Sequence, residues 1–313
     1  MKKEETPMLA ILTLNYNSAG HTINFLKSLE KSEFKDFKIF IVNNPSNDDD
    51  LLKLQCGCLD SPLNTKIVYR KKNEGWGAAI NDGFKKIHEE GIPYTLVVNN
   101  DATISSACIS ELFSGLNSDQ HIMLCGPKIL NPEGGVQTVG GRLDWLVKFF
   151  GITRNNKQYG FGGVYILKDN ETLDDCCWLL KSDIMKQIKY PEHIFLYFEE
   201  LYIIKAIRGL GYKLAYVPSA IVTHEGQGSS VKESSGKSRI QTFYLNRNRI
   251  LFVKDNYPKI FPLFLICCSL ITVPLLIVKS ILKRDFASIK QILAGYWSGI
   301  QYSLFGKTTY FKQ

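Results

Sequence analysis

Short apolar runs that each end in a polar cluster recur through the first hundred residues. Met8 to Leu14 (MLAILTL) stops at Asn15-Tyr16-Asn17, Phe37 to Val42 (FKIFIV) at Asn43-Asn44, and Tyr94 to Val98 (YTLVV) at Asn99-Asn100-Asp101. Runs this short and this uniformly apolar read as strands covered on both faces. Lys66 to Tyr69 reads as another short strand. Between them, Ile23, Leu26 and Leu29 fall at helical spacing within Ser18 to Lys31, and Gly77 to Glu90 reads as a helix. Strands alternating with helices predict βαβ units and a parallel sheet. Ligands of open α/β sheets bind beyond the carboxyl ends of the strands, which is where the three polar clusters fall.

The pattern changes after residue 104. Ser105 to Tyr190 carries Gly-rich turns (Gly134-Gly135, Gly140-Gly141, Gly162-Gly163) and aromatic segments, which suggests a mixed sheet holding an acceptor. Pro191 to Ile207 combines an aromatic and acidic cluster with a helix. Tyr212 to Val217 reads as a strand, Pro218 to Ser230 ends in HEGQGSS, and Ser229 to Ser238 reads as a polar loop. Ile260 to Val278 (IFPLFLICCSLITVPLLIV) has no charge and approaches the ~20 residues that cross a bilayer. Lys254 and Lys259 precede it, and Lys279, Lys283 and Arg284 follow. Basic flanks on both sides fit a segment lying in one leaflet better than an oriented span. The division expected is 1–230 as the catalytic domain, in halves 1–104 and 105–230, and 231–313 as a basic, apolar helical region.

Composition is that of an ordinary globular chain, 45% hydrophobic and 22% charged over 313 residues. The net charge of +8 is unevenly placed: residues 231–313 hold 13 Lys or Arg against 3 Asp or Glu, leaving −2 for the rest. A basic tail beside an uncharged apolar stretch points to anionic lipid rather than nucleic acid. The eight cysteines form no paired CxxC pattern, and the bland reading is reduced, mostly buried thiols. The segment MKKEETPMLAILTLNY turns polar too soon for a signal peptide, which places the expected site of action on the cytoplasmic face of the membrane.

Several spaced segments, in order, resemble the family 2 glycosyltransferases. They are ILTLNYNSAGHTINFLKSL, IFIVNNPSND, NEGWGAAINDGF, VVNND, FLYFEELYIIKAIRGLGYK, VPSAIVTHEGQGSS and YLNRNRILFVKDNYP. The likeness covers roughly residues 8 to 260 and is nearest to bacterial rhamnosyltransferase-like enzymes of surface-polysaccharide and O-antigen assembly. It implies a GT-A fold, a Rossmann-like αβα sandwich with a mixed sheet, here followed by C-terminal membrane-associated helices. It also implies inversion at the anomeric carbon. The partners implied are a dTDP- or UDP-sugar donor, with rhamnose favoured, and a lipid-linked glycan acceptor.

Such a transfer needs the departing diphosphate neutralised and an acceptor hydroxyl deprotonated. Mg²⁺ or Mn²⁺ suits the first need, with Asp101 after its strand as ligand and His224 as the matched second contact. Asn99 and Asn100 stand where the family often has an acid, so they would orient phosphate or sugar. Adjacent Glu199 and Glu200 lie in an aromatic setting, and burial beside another acid makes a carboxyl a better base. By position Glu200 is the base and Glu199 organises the site. Tyr202 replaces an acid the family often has. On the donor side, Asn43 stands where the family has a base-facing Asp, and could accept from a base N–H through its carbonyl oxygen. Thr13, Asn15, Asn73, Gly75 and Trp76 complete the donor set, Trp76 equally as core. The alternatives are another hexosyl or N-acetylhexosaminyl transferase of the family, and a nucleotide-sugar-binding homologue without catalysis. A processive synthase is disfavoured because Gln241 is not followed by x-x-Arg-Trp, and a dehydrogenase because no GxGxxG follows the first strand.

Overall fold

A computed structural model describes residues 6–142, 153–154, 163–226 and 239–306 of the chain. The first four strands are β1 (Leu9–Asn15), β2 (Phe37–Asn43), β3 (Thr65–Tyr69) and β4 (Tyr94–Val98). They lie parallel in the order β3-β2-β1-β4, linked by α1 (Ala19–Glu30), α2 (Asp48–Asp60) and α3 (Trp76–Glu90). The expected strands and helices are all present. Helix α2 is additional: it buries only Leu54, so it carries almost no apolar stripe to read. Its start is fixed by polar chemistry, with the Asn47 side chain accepting from Asp50 N and acids at Asp48, Asp49 and Asp50.

The second half adds β5 (Ala102–Ile104), α4 (Cys108–Asn117), β6 (Ile122–Leu130), β7 (Val136–Thr138), β8 (Gly141–Arg142), β9 (Thr153–Arg154), β10 (Tyr165–Ile166), β11 (Glu171–Thr172) and β12 (Cys177–Lys181). Helix α5 (Glu199–Gly209) and β13 (Lys213–His224) follow. The large sheet continues β4-β12-β6-β13-β10, with β12 antiparallel to both β4 and β6 and β13 parallel to β6. The sheet is therefore mixed, as expected. Strand β13 outruns the expected Tyr212–Val217 because it passes Pro218 through a register shift between Val217 and Ile221.

Alternate residues of each central strand feed opposite cores. Leu9, Ile11, Ile39, Ile41, Leu96 and Leu179 join Phe25 and Leu29 of α1, Leu54 of α2 and Leu112 of α4 on one face. Ala10, Leu12, Phe40, Val42, Val97 and Leu180 join Ile80 and Phe84 of α3 and Ile203 and Ile207 of α5 on the other. This is the αβα sandwich, with side chains of period two locking the register.

Three helices end the described residues: α6 (Arg239–Asn256), α7 (Phe261–Leu282) and α8 (Phe286–Phe305). Helix α8 packs tightly along α6, where a Cβ at Gly295 would come within 2.3 Å of the Phe243 carbonyl oxygen. The most apolar 18-residue window of α7 has a mean hydropathy of 2.6 yet is only 22% buried. It is the one helix among the described residues long and apolar enough to cross a membrane. The 230/231 boundary, the 229–238 loop, Gly162 and Gly228 lie outside the described residues.

Candidate active site

Three parts of the sheet bring acids to one edge. Asp101 follows β4. Asp174 and Asp175 precede β12, and because β12 runs antiparallel, with Cys177 opposite Val98, its start lies beside the end of β4. The backbone locks the two together through Asn99 N donating to the Cys176 carbonyl at 2.9 Å. Glu199 and Glu200 open α5, and each of Asp175, Glu199 and Glu200 places a carboxylate oxygen within 4.8 Å of the other two.

Asp101 is 7% exposed, and its Oδ1 lies 3.1 Å from His224 Nε2 at the end of β13. Nδ1 of that ring faces Gln137 Oε1 at 3.2 Å. Burial opposes a charged imidazole, but the hydrogen bond and charge of Asp101, with Asp174 and Asp175 beyond, hold His224 above the ordinary imidazole range. The Asp101 backbone also accepts from Glu225 N at 3.0 Å, so both chains of the pair are fixed.

Glu199 is 2% exposed and Glu200 less buried. Burial first, then the charges of Asp175 and Glu200, push the Glu199 carboxyl well above the usual carboxylate range. Glu200 is the more accessible acid, at a helix N-terminus whose backbone dipole favours its anion. The approach to α5 is strained: Tyr197 and Phe198 both sit at positive φ, 69° and 79°. Asn248 of α6 holds them, its Nδ2 donating to the Leu196 and Tyr197 carbonyls at 2.8 and 2.9 Å. Tyr202 leaves the site, donating to Asp255 of α6 at 2.8 Å, so it serves as a tie between α5 and α6.

The residues expected to contact the donor gather at the ends of β1, β2 and β4 and in the loop after β3. Asn15 Nδ2 donates to Asn43 Oδ1 (2.8 Å) and Asp50 Oδ2 (3.0 Å), and Asn100 Nδ2 donates to the Ser18 and Thr22 hydroxyls (2.8 and 2.9 Å). Thr13 is fully buried beneath Asn15 on the same face of β1. Asn73 Oδ1 accepts from Gly75 N and from Asn44 Nδ2, both at 3.1 Å. Gly75 has φ 98°, and Trp76 N donates to the Phe195 carbonyl at 3.0 Å, so the donor loop rests on the segment leading to Glu199. Trp76 packs edge-on to Tyr190 at the rim of the second core.

Asp175, Gln137, Asp50 and Asn248 were not singled out from sequence. The signal at Asp175 was an acidic pair directly ahead of an apolar run, the mirror image of the pattern used for β4.

The sequence model of the glycosyl transferase family 2 matches residues 10–188. N-acetylglucosaminyl-diphospho-decaprenol L-rhamnosyltransferase of Mycobacterium tuberculosis (strain ATCC 25618 / H37Rv) is 22% identical over 249 residues, covering 73% of this chain and 79% of that protein. Among solved structures, mannosyltransferase PcManGT from Pyrobaculum calidifontis, in complex with GDP-Man and Mn²⁺, aligns with a TM-score of 0.56 at 11% identity, covering 97% of this chain and 89% of that one. S. aureus TarS 1-349 in complex with UDP-GlcNAc aligns with a TM-score of 0.56 at 16% identity, covering 94% and 80%. Both likenesses are of fold.

Proposed function

This chain belongs to glycosyl transferase family 2, and on that premise we propose that it is an inverting, metal-dependent enzyme that moves a sugar, rhamnose first among candidates, from a dTDP- or UDP-sugar to a lipid-linked glycan at the cytoplasmic face of the membrane. The observation that carries this reading is the meeting of Asp101, His224, Asp175, Glu199 and Glu200 at one sheet edge.

Glu200 takes the proton of the acceptor hydroxyl. The acceptor oxygen then bonds to the anomeric carbon as the bond to the nucleoside diphosphate breaks on the opposite face, which inverts the centre. Glu199, buried behind it with its carboxyl pushed well above the usual range, borders Asp175 and Glu200 and organises the two. Asp101 and His224 offer one carboxylate oxygen and one imidazole nitrogen, a donor set that suits Mn²⁺ and is adequate for Mg²⁺. A bound cation would neutralise charge on the leaving diphosphate. Asp175, Glu199 and Glu200 form a second grouping with oxygen ligands suited to the same cations.

The 22% identical relative is named for a diphospho-decaprenol-linked substrate, which supports a lipid acceptor here. Exposed apolar side chains on α7 and α8, among them Leu270, Leu282, Phe286 and Trp297, support the membrane. The test is nucleoside diphosphate release from a panel of UDP-, dTDP- and GDP-sugars with detergent-solubilised lipid-linked acceptor, with and without EDTA, and the anomeric configuration of the product. Release from one donor, abolished by EDTA and giving inverted product, is expected. Retained configuration, or release indifferent to EDTA, would overturn the mechanism.

A further inference from the structure

The polar network at the ends of β1 and β2 fixes which end of the Asn43 amide is left for a ligand. Asp50 anchors it. An ionised carboxylate only accepts, and here Oδ1 accepts from Ala19 N at 2.7 Å while Oδ2 accepts from Asn15 Nδ2 at 3.0 Å. The other end of Asn15 is held as firmly: Oδ1 accepts from the Thr22 hydroxyl at 2.9 Å and faces the Ser18 hydroxyl at 3.5 Å. Turning the Asn15 amide over would set its oxygen against the Asp50 carboxylate and its NH₂ toward Thr22. Asn15 therefore has one orientation, with its NH₂ toward Asp50 and Asn43.

That orientation sets the next amide. The atom of Asn43 lying 2.8 Å from Asn15 Nδ2 must be an acceptor, Oδ1, and Ser46 Oγ lies 3.3 Å from both that oxygen and the Asn44 carbonyl, to either of which it can give its one proton. The Asn43 carbonyl, expected from sequence to accept from a base N–H, is instead engaged by Asn15 inside the protein. Its NH₂ points away from this network and has no hydrogen-bond partner among the described residues. The residue as a whole is 3% exposed, at the carboxyl end of β2 beside the end of β1, but its Nδ2 is not among the fully buried polar atoms that lack a partner, so the N–H keeps an open edge that a ligand can occupy.

We propose that Asn43 offers the nucleobase an amide N–H donor, so that it reads a ring acceptor common to uracil, thymine and cytosine rather than the N3–H that uracil and thymine carry and cytosine lacks. Every pyrimidine presents the C2 carbonyl, and cytosine presents unprotonated N3 as well. A carboxylate at this position would make the opposite choice, accepting from N3–H and repelling the cytosine edge. Residue 43, oriented from a distance by Asp50 through Asn15, is a specificity determinant that relaxes discrimination between pyrimidines. This rests on the reading that the donor nucleotide lies over the ends of β1 and β2.

The experiment is calorimetric binding of UDP and CDP to the full chain and to Asn43→Asp, with GDP as control and folding checked by circular dichroism. The wild-type chain is expected to bind UDP and CDP within about threefold of each other, and Asn43→Asp to shift the ratio at least about tenfold toward UDP, the size of one well-made hydrogen bond. A wild-type preference for UDP above about tenfold, or a ratio unmoved by Asn43→Asp, would overturn the polarity assigned to Asn43. Folded protein that binds neither pyrimidine nucleotide would instead overturn the nucleotide-site reading beneath it.

Discussion

Glu199 is held off its ordinary protonation by where it sits, and that has a thermodynamic signature. Its folded pKa lies above the unfolded value, so the folded chain binds the extra proton between the two. Stability therefore falls as pH rises from the ordinary glutamate range through the raised folded value. Glu199→Gln removes the titration, so its stability relative to wild type should rise as pH is raised from the ordinary glutamate range to pH 8. Thermal melts in EDTA across that range check it, and a pH-independent difference would contradict it. Gly75 makes a second prediction. A Cβ there would lie 2.2 Å from the Phe195 carbonyl oxygen, at φ 98°. Gly75→Ala should cost about 1–3 kcal/mol in a denaturant titration and weaken donor binding, because the loop cannot keep its seat on Phe195. At this scale the sequence revealed residue types better than their partners: Asp101 and His224 were both named, and nothing in their spacing said that they touch.

Elements position these side chains, and one element explains most of what the sequence concealed. Strands β1, β2 and β4 announce their functional ends because they are parallel and end in polar clusters. Strand β12 runs the other way, so its acids come before the apolar run, and Asp175 is invisible to a rule that looks only after strands. Helix α2 escaped because its stability comes from the Asn47 cap and first-turn acids rather than from an apolar stripe. Helix α6 shows a role that composition could not suggest. Through Asn248 it clamps the strained Tyr197-Phe198 step that leads into Glu199 and Glu200, the latter the proposed base. Asn248→Ala should therefore lower kcat about tenfold or more with little change in donor KM, measured in the diphosphate-release assay, since it removes support from the base and leaves the donor loop in place. Equal loss in kcat and donor affinity would mean that α6 supports the whole cleft instead.

Over the whole molecule, the basic charge, the apolar helix and the catalytic edge form one arrangement. The same helix α6 that packs along α8 carries Asn248, so the exposed apolar surface and the proposed base share a support. Leu270 is 73% and Leu282 79% exposed, values that fit a hydrocarbon environment better than water. The chain should float with vesicles containing anionic phospholipid. Leu270→Ser with Leu282→Ser should reduce the bound fraction several-fold while soluble donor binding is kept, and high salt should weaken the basic contribution. Equal flotation of the variant would place the membrane contact elsewhere. The fold class and the mixed sheet were legible from periodicity and motif order, because the αβα core obeys simple two- and 3.6-residue periods. The packing of α6 to α8 was not, since Gly295 and Gly299 admit the α6 backbone and Arg247 lies over the Tyr302 ring, contacts that no apolar repeat announces.

The most direct measurement compares nucleoside diphosphate release, with acceptor present, by the wild-type chain, Glu200→Gln and Asp101→Ala. Loss of about 10²–10⁴-fold in kcat for Glu200→Gln with donor binding retained, and loss of metal-dependent release for Asp101→Ala, is the predicted result. Turnover that survives Glu200→Gln would show that the acceptor's proton goes elsewhere, to Glu199 or Asp175, and would contradict the assignment of the base.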